Sequence, residues 1–258
     1  MPDVTEFAAS GDSVVEKSDP VFVGGNSWSS TMHGSATTAG DSQDSTLTNY
    51  DFGVWNDRTG RGFSTQWKLN RSFFPFDLSG NDSAGDSLSG NTVASAELKV
   101  YSDNLGGTGT LQKRIYAVEA TALADSTDDY GNVFSSGTTL GTLFGTADVT
   151  TSLGYHTWTL NSDAITAINS AISAGSTLTI GLMGYYDYAG VDPSSNIVKI
   201  AVYYSEFGGG GGTGGDPKLE LTYASAVYGH DVVGVASANI GKVNGVATAN
   251  IGKINTVD

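Results

Sequence analysis

The chain has 258 residues with 35 glycines, no cysteine, only 15% charged residues and a formal charge of −15. The missing cysteines exclude disulfides, thiolate metal sites and a cysteine nucleophile, and the acidity sets the surface against phosphate backbones, so no nucleic-acid partner is expected. Abundant Gly, Ser, Thr, Asn and Asp make a turn-rich chain, aromatics at 10% supply a core, and the length suits one β-sandwich.

The opening MPDVTEFAASGDSVVEKSD is acidic and polar. It reads as an N-terminal extension over residues 1–18, not as a secretory leader. No apolar run is long enough for a membrane-spanning helix, so no membrane insertion is expected. From Asp19 to 224 the pattern is short apolar runs between turns, the signature of antiparallel strands. VFVGG (21–25) and YDFGVW (50–55) read as strands, separated by a Ser/Thr/Gly/Asp-rich loop at 34–49. FSTQWKLNRSFFPFDLS (63–79) is the strongest core strand, and Pro75 within it predicts a bulge or an edge position. Residues 93–103 and 111–120 form two further strands around the connection GGTGT (106–110). Residues 121–142 read as a long loop, and YHTWTL (155–160) as a strand.

One helix is expected. Asn161, Ser162 and Asp163 offer caps, Ile165, Ile168 and Ile172 recur at helical spacing, and Gly175 ends it. Strands follow at 176–186, 196–207 and 218–225, with GGGGGTGGD (208–216) as a loop. Residues 225–258 differ: GVASANIGKVN (234–244) and GVATANIGKIN (245–255) are a near-exact 11-residue repeat. Its apolar positions Val235, Ile240, Val243, Val246, Ile251 and Ile254 cannot form a core alone, which marks the tail as an assembly segment. The fold class expected is therefore an all-β, jelly-roll-like antiparallel sandwich with one short helix and a C-terminal repeat tail.

The segment NRSFFPFDLSG…SGNTVASAELKVYSD resembles the DNRLRE-domain proteins, jelly-roll sandwiches related to carbohydrate-binding-module-like domains of secreted and phage proteins. An Arg-containing strand ends in Phe76-Asp77-Leu78-Ser79, and Ala96-Glu97-Leu98-Lys99-Val100-Tyr101 matches the following strand. GDPKLELTY (215–223) is similar to the closing strand, and GNSWSSTMHGSA to the early Trp-containing segment. The resemblance spans roughly residues 19–224. The literal DNRLRE string is absent, so any ligand function tied to it is not carried over. The IGKVNGVA-like tail resembles ends found on structural proteins of tailed phages.

No motif points to catalysis. His33, His156 and His230 lie in no metal-ligand spacing, and no nucleophile elbow or phosphate-binding loop occurs. A non-enzyme is expected, with no cofactor required. Calcium is the one candidate ion, because it takes six to eight oxygens. Asp125, Asp128 and Asp129 share one loop, and Asp187 and Asp192 flank another; each group also reads as a solvated turn. Trp28, Trp55, Tyr130, Tyr185, Tyr186 and Tyr188 lie in or near loops, where they are candidate platforms for a cell-surface glycan or ordinary packing residues. The leading expectation is a structural virion protein of a tailed phage, in a tail fibre, baseplate or capsid appendage, partnered by itself as a homo-oligomer such as a trimer and by other virion proteins. The alternatives are a glycan-binding adhesion module and a subunit of an extracellular or cell-surface filament joined by strand exchange.

Overall fold

The computed structural model describes residues 4–7, 12–19, 32–46, 49–59, 64–82, 85, 87–106, 114–149, 154–191, 198–203, 216–224, 242–243 and 246–247. In chain order the strands are β1 (Val4–Phe7), β2 (Ser13–Asp19), β3 (Ser42–Asp44), β4 (Asn49–Thr59), β5 (Ser64–Asp77), β6 (Val93–Gly106), β7 (Arg114–Ala120), β8 (Phe134–Ser136), β9 (Thr139–Leu140), β10 (Leu143–Asp148), β11 (Gly154–Thr159), β12 (Thr177–Gly184), β13 (Val198–Tyr203), β14 (Lys218–Tyr223), β15 (Lys242–Val243) and β16 (Val246–Ala247). A 3-10 helix (Thr127–Val133), α1 (Ser162–Ala174) and the single turn α2 (Tyr185–Tyr188) complete the described elements.

The chain is an all-β sandwich. Its strand pairs are antiparallel, and most neighbours are far apart in sequence, as in β14 beside β6 and β12 beside β5. One layer is β1-β14-β6, with β11 on the other flank of β6. The other layer is β10-β7-β12-β5, with β2 and β3 beyond. The two 14-residue strands, β5 and β6, run out of their layers and are joined at their far ends through β4 and β13.

Alternation along these strands fills the space between the layers. Phe74 and Phe76 of β5, Leu98 and Val100 of β6, Ile115 and Ala117 of β7, Ile180 and Leu182 of β12, and Leu219 and Leu221 of β14 all enter one apolar cluster. Each of the Phe, Leu, Ile and Val side chains among them, fully buried, contributes about 1.5–3 kcal/mol of transfer free energy. Trp158 of β11 is 1% exposed, and its indole N–H donates to the Ile115 carbonyl at 3.0 Å. The helix α1 covers one end of this core with Ala164, Ile168 and Ile172. Its ends follow the sequence reading: the Asn161 side chain accepts from the N–H groups of Asp163 and Ala164, and Gly175 closes it at φ 61°.

Two readings of the sequence change, and the edge position expected at Pro75 holds. Residues 1–18 are no mere extension: β1 pairs β14 and β2 pairs β5, with Val14 and Val15 buried. Two adjacent buried valines break simple alternation because both faces of β2 are covered. The long loop at 121–142 contains the 3-10 helix and the β8–β9 hairpin. Pro75 lies past the last β2 pair, Ser13↔Phe73, while Thr179 of β12 faces it on the other side. Among the described residues no strand runs along its free flank, so its missing N–H breaks no ladder there. The strand expected at 21–25 and the loop at 208–215 lie outside the described residues. Among the described residues no helix is long and apolar enough to cross a membrane.

Candidate functional site

The residues of β5 that point away from the sandwich core form a second buried surface. Leu69 and Phe73 join Val15, Val118, Met183, Met32, Tyr130, Val133, Phe134 and Tyr186 in a separate cluster. Arg71 shares the parity of Leu69 and Phe73, so its guanidinium enters this cluster and is fully buried.

Four hydrogen bonds and an aromatic ring hold that guanidinium. Nε donates to Asp187 Oδ2 at 2.7 Å and Nη2 to Asp187 Oδ1 at 2.7 Å, a bidentate pair with both side chains fully buried. Nη1 donates to the Tyr130 carbonyl at 2.5 Å and Nη2 also to the His33 carbonyl at 2.6 Å. The plane lies over the Tyr130 ring at 4.0 Å, with the Phe134 ring at 5.2 Å. The Tyr130 hydroxyl donates to the Met32 carbonyl. His33 Nδ1 meets Asp187 Oδ1 at 3.1 Å, and its ring stands edge-on to Phe134 at 5.4 Å.

The electrostatics follow from burial and pairing. Burial opposes the charge on Asp187, but the Arg71 charge, the Arg71 hydrogen bonds and the His33 contact outweigh it, so its carboxyl stays below the usual carboxylate range. Burial likewise works against the charge on Arg71, and Asp187 reverses the balance and holds its pKa above the ordinary value. Burial drives the Tyr130 phenol far up, so it remains a hydrogen-bond donor. Asp187 is thus an ionised acceptor with both oxygens engaged. The arrangement fixes three pieces of covering chain, at 32–33, 130 and 185–188, onto β5.

The turn α2 carries this anchor and an aromatic group together. Tyr188 stacks on Tyr116 of β7 at 3.9 Å and 7°, while Tyr185 packs edge-on to Tyr186 at 5.3 Å. Tyr116, Tyr185 and Tyr188 are half-buried at the margin of the cluster. Burial raises the Tyr116 phenol, with Arg114 opposing and Tyr185, Tyr188 and Asp148 adding to the rise. Nearby on the same strand, Arg114 Nε donates to Asp148 Oδ1 at 2.8 Å on the surface.

The structure sorts the candidate residues. Of the six aromatic candidates, Tyr185 and Tyr188 come together. Tyr130 is fully buried beneath Arg71 and Tyr186 is 6% exposed, so neither is a surface platform; the covering loops turn both inward. Trp55 lies in β4, described for its backbone only, and Trp28 lies outside the described residues. Asp187 faces Arg71 and the protein interior, not a loop cation. Asp129 is also spoken for: it accepts from the N–H groups of Ala124 and Ser126 and from Asn132, completing a capping box for the 3-10 helix. Asp125, at φ 57°, accepts from Gln43 Nε2 at 2.7 Å, and Asp128 lies in the first turn of that helix. Asp192 lies outside the described residues. Among the described residues no three acidic or histidine side chains converge on a common point. Val235, Ile240, Ile251 and Ile254 lie outside the described residues, while Val243 and Val246 are register partners in the β15–β16 hairpin.

Sequence reasoning passed over Arg71 and did not connect His33 to Asp187. A signal existed for the first: Arg71 sits between Leu69 and Phe73 at the parity of a buried face, and a charge there demands a buried partner. The identity of the partner, 116 residues on, had no local signature. A scan against protein-family models finds none that matches this chain, and a search of curated proteins finds no match.

Proposed function

We propose that this chain is a non-enzymatic structural protein of a tailed-phage particle, displaying the β-sandwich and assembling through its C-terminal repeat. The observation that carries this reading is the tail: an apolar 11-residue repeat whose described part is the short hairpin β15–β16. Two-residue strands are not stable by themselves in water, so this segment needs a partner surface. The Arg71–Asp187 anchor agrees with a structural role, since its polar groups bind the protein's own backbone. The phage setting rests on the resemblance of the tail and the body described above.

The test is the mass in solution of the full chain and of a chain lacking residues 226–258. The full chain is expected to be a discrete multimer, and the shortened chain a monomer with the Trp158 near-ultraviolet signal intact. A monomeric full chain, or assembly unchanged by the deletion, overturns the assembly role. Antibody labelling of purified particles tests the location, and particles without label overturn it.

A second reading, a glycan-binding module, is favoured by the tyrosine group Tyr116, Tyr185 and Tyr188 on one margin of the body. Stacking of sugar C–H groups on such rings is the usual mode of glycan contact. A glycan array probed with the body and with Tyr188→Ala decides it: signal lost in the variant supports this reading, and no signal from the unmodified body sinks it.

A further inference from the structure

Exposure rises in one direction along the outer face of β7. Ala120 and Val118 are buried in the outer cluster, Tyr116 is half-buried at its margin, and Arg114 is exposed. The neighbouring strand β10 follows the same trend: Thr146 pairs with Tyr116 and Asp148 with Arg114, and both are exposed. The stack of Tyr188 on Tyr116 brings α2 to this place, and Tyr185 with it. The covered part of the face thus ends in a group of tyrosines, and the open sheet beyond it carries an ion pair.

That pair is bidentate: Arg114 Nε donates to Asp148 Oδ1 at 2.8 Å and Nη2 to Oδ2 at 3.2 Å. Its side chains are 52% and 60% exposed, so water screens it and it adds little to stability. It does present a fixed pattern of groups. Among the described residues Nη1 has no protein partner, and the carboxylate oxygens keep lone pairs on their outer sides. The Tyr116 phenol senses Arg114, Tyr185, Tyr188 and Asp148 together, which puts all four within electrostatic reach of one hydroxyl. A sugar hydroxyl both donates and accepts, so two adjacent hydroxyls complement a donor and an acceptor held side by side. The C–H groups of the same sugar ring match the tyrosines. The ion pair has no net charge and the chain carries −15, so a sugar bearing a carboxylate is disfavoured.

We infer that Arg114, Asp148 and the tyrosines Tyr116, Tyr185 and Tyr188 form one binding site for a neutral hexopyranoside with adjacent hydroxyls. This inference rests on the glycan-binding reading above and adds the polar half of the site and the class of sugar. The full chain is applied to an array of gluco-, galacto- and manno-oligosaccharides and of the same chains ending in glucuronate or sialate. Calorimetric titration with the strongest neutral binder is then repeated on Tyr188→Ala, Arg114→Ala and Asp148→Ala, with the near-ultraviolet spectrum as the check of fold. The expected result is a preference for the neutral chains and at least tenfold weaker binding in each variant, with the spectrum unchanged. If no array member binds the full chain, the glycan reading itself falls, and this site with it. If Tyr188→Ala abolishes binding while Arg114→Ala and Asp148→Ala bind as the full chain does, the tyrosine reading stands and the ion pair is no part of the site. Binding unchanged in all three variants places the glycan elsewhere, and stronger binding of the acidic chains overturns the sugar class.

Discussion

The two faces of β5 are packed by different means. Phe74 and Phe76 look into the space between two sheets, where nearly everything is apolar. Leu69, Arg71 and Phe73 look out into a space roofed by loops, and the centre of that space is a buried ion pair. The difference comes from what covers each face. A sheet facing another sheet has already paired its backbone groups within itself. Loops lying on a sheet bring unpaired carbonyls with them, and buried carbonyls need donors. Here those of His33, Tyr130 and Met32 are met by Arg71 and by the Tyr130 hydroxyl. The arginine is therefore the means by which irregular chain is held dry against a strand, and Asp187 is what lets the arginine be there.

The largest test sets the two faces against each other. Phe74→Ala is expected to cost about 3–5 kcal/mol by opening a cavity in the sandwich core. Asp187→Ala is expected to cost a similar ~3–5 kcal/mol by leaving Arg71 buried and uncompensated. Hydrogen exchange separates them. Phe74→Ala should lower protection throughout β5, β6 and β12, whereas Asp187→Ala should first expose residues 32–46 and 121–143. Uniform loss in both variants would erase the distinction between the two clusters.

Acid reaches the same anchor more gently. The folded Asp187 carboxyl lies below its unfolded range, so its contribution is complete above that range and is lost as pH falls through the depressed value. Denaturant titrations at falling pH should show the outer cluster weakening in the unmodified chain, while Asp187→Ala gives a flatter profile. Parallel profiles would show that the pair carries no such linkage.

The next test concerns the carbonyls. A buried pair with no other duties can be replaced by apolar residues without loss. Arg71→Met with Asp187→Leu should here recover only part of the single-variant cost. A deficit of about 1–3 kcal/mol should remain, because the His33 and Tyr130 carbonyls lose their donors. Full recovery in urea titrations would mean that these carbonyls are satisfied without Arg71. The smallest effect belongs to the sandwich side: Asn161→Ala removes a single cap of α1 and should cost about 1 kcal/mol, read as a shift of the urea midpoint.

Much of the body was legible locally. Short apolar runs, alternating in most strands and continuous in β12, located β4, β5, β6, β7, β11, β12, β13 and β14, and Asn161, the spaced isoleucines and Gly175 delimited α1, because these signals are written within a few residues. The strands of residues 1–18 were missed because their acidic, weakly alternating sequence becomes strand only when β5 and β14 supply partners. The site was scarcely legible. His33, Arg71, Tyr130 and Asp187 are spread over more than 150 residues, and each taken alone is an ordinary polar or aromatic residue. A charge at a buried parity could have pointed to Arg71, but nothing near Asp187 shows that it turns inward.

The sequence by itself determined the all-β class, the helix with its two caps, and the 11-residue spacing of the tail. These depend on propensity and periodicity, which act over neighbouring residues. Only the tertiary structure decided that β2 has two buried faces, that Tyr130 lies under a guanidinium instead of facing solvent, and that Asp187 is an anchor instead of a cation ligand. Each depends on which distant segment closes over β5, and an ion pair in a dry interior is set by that closure.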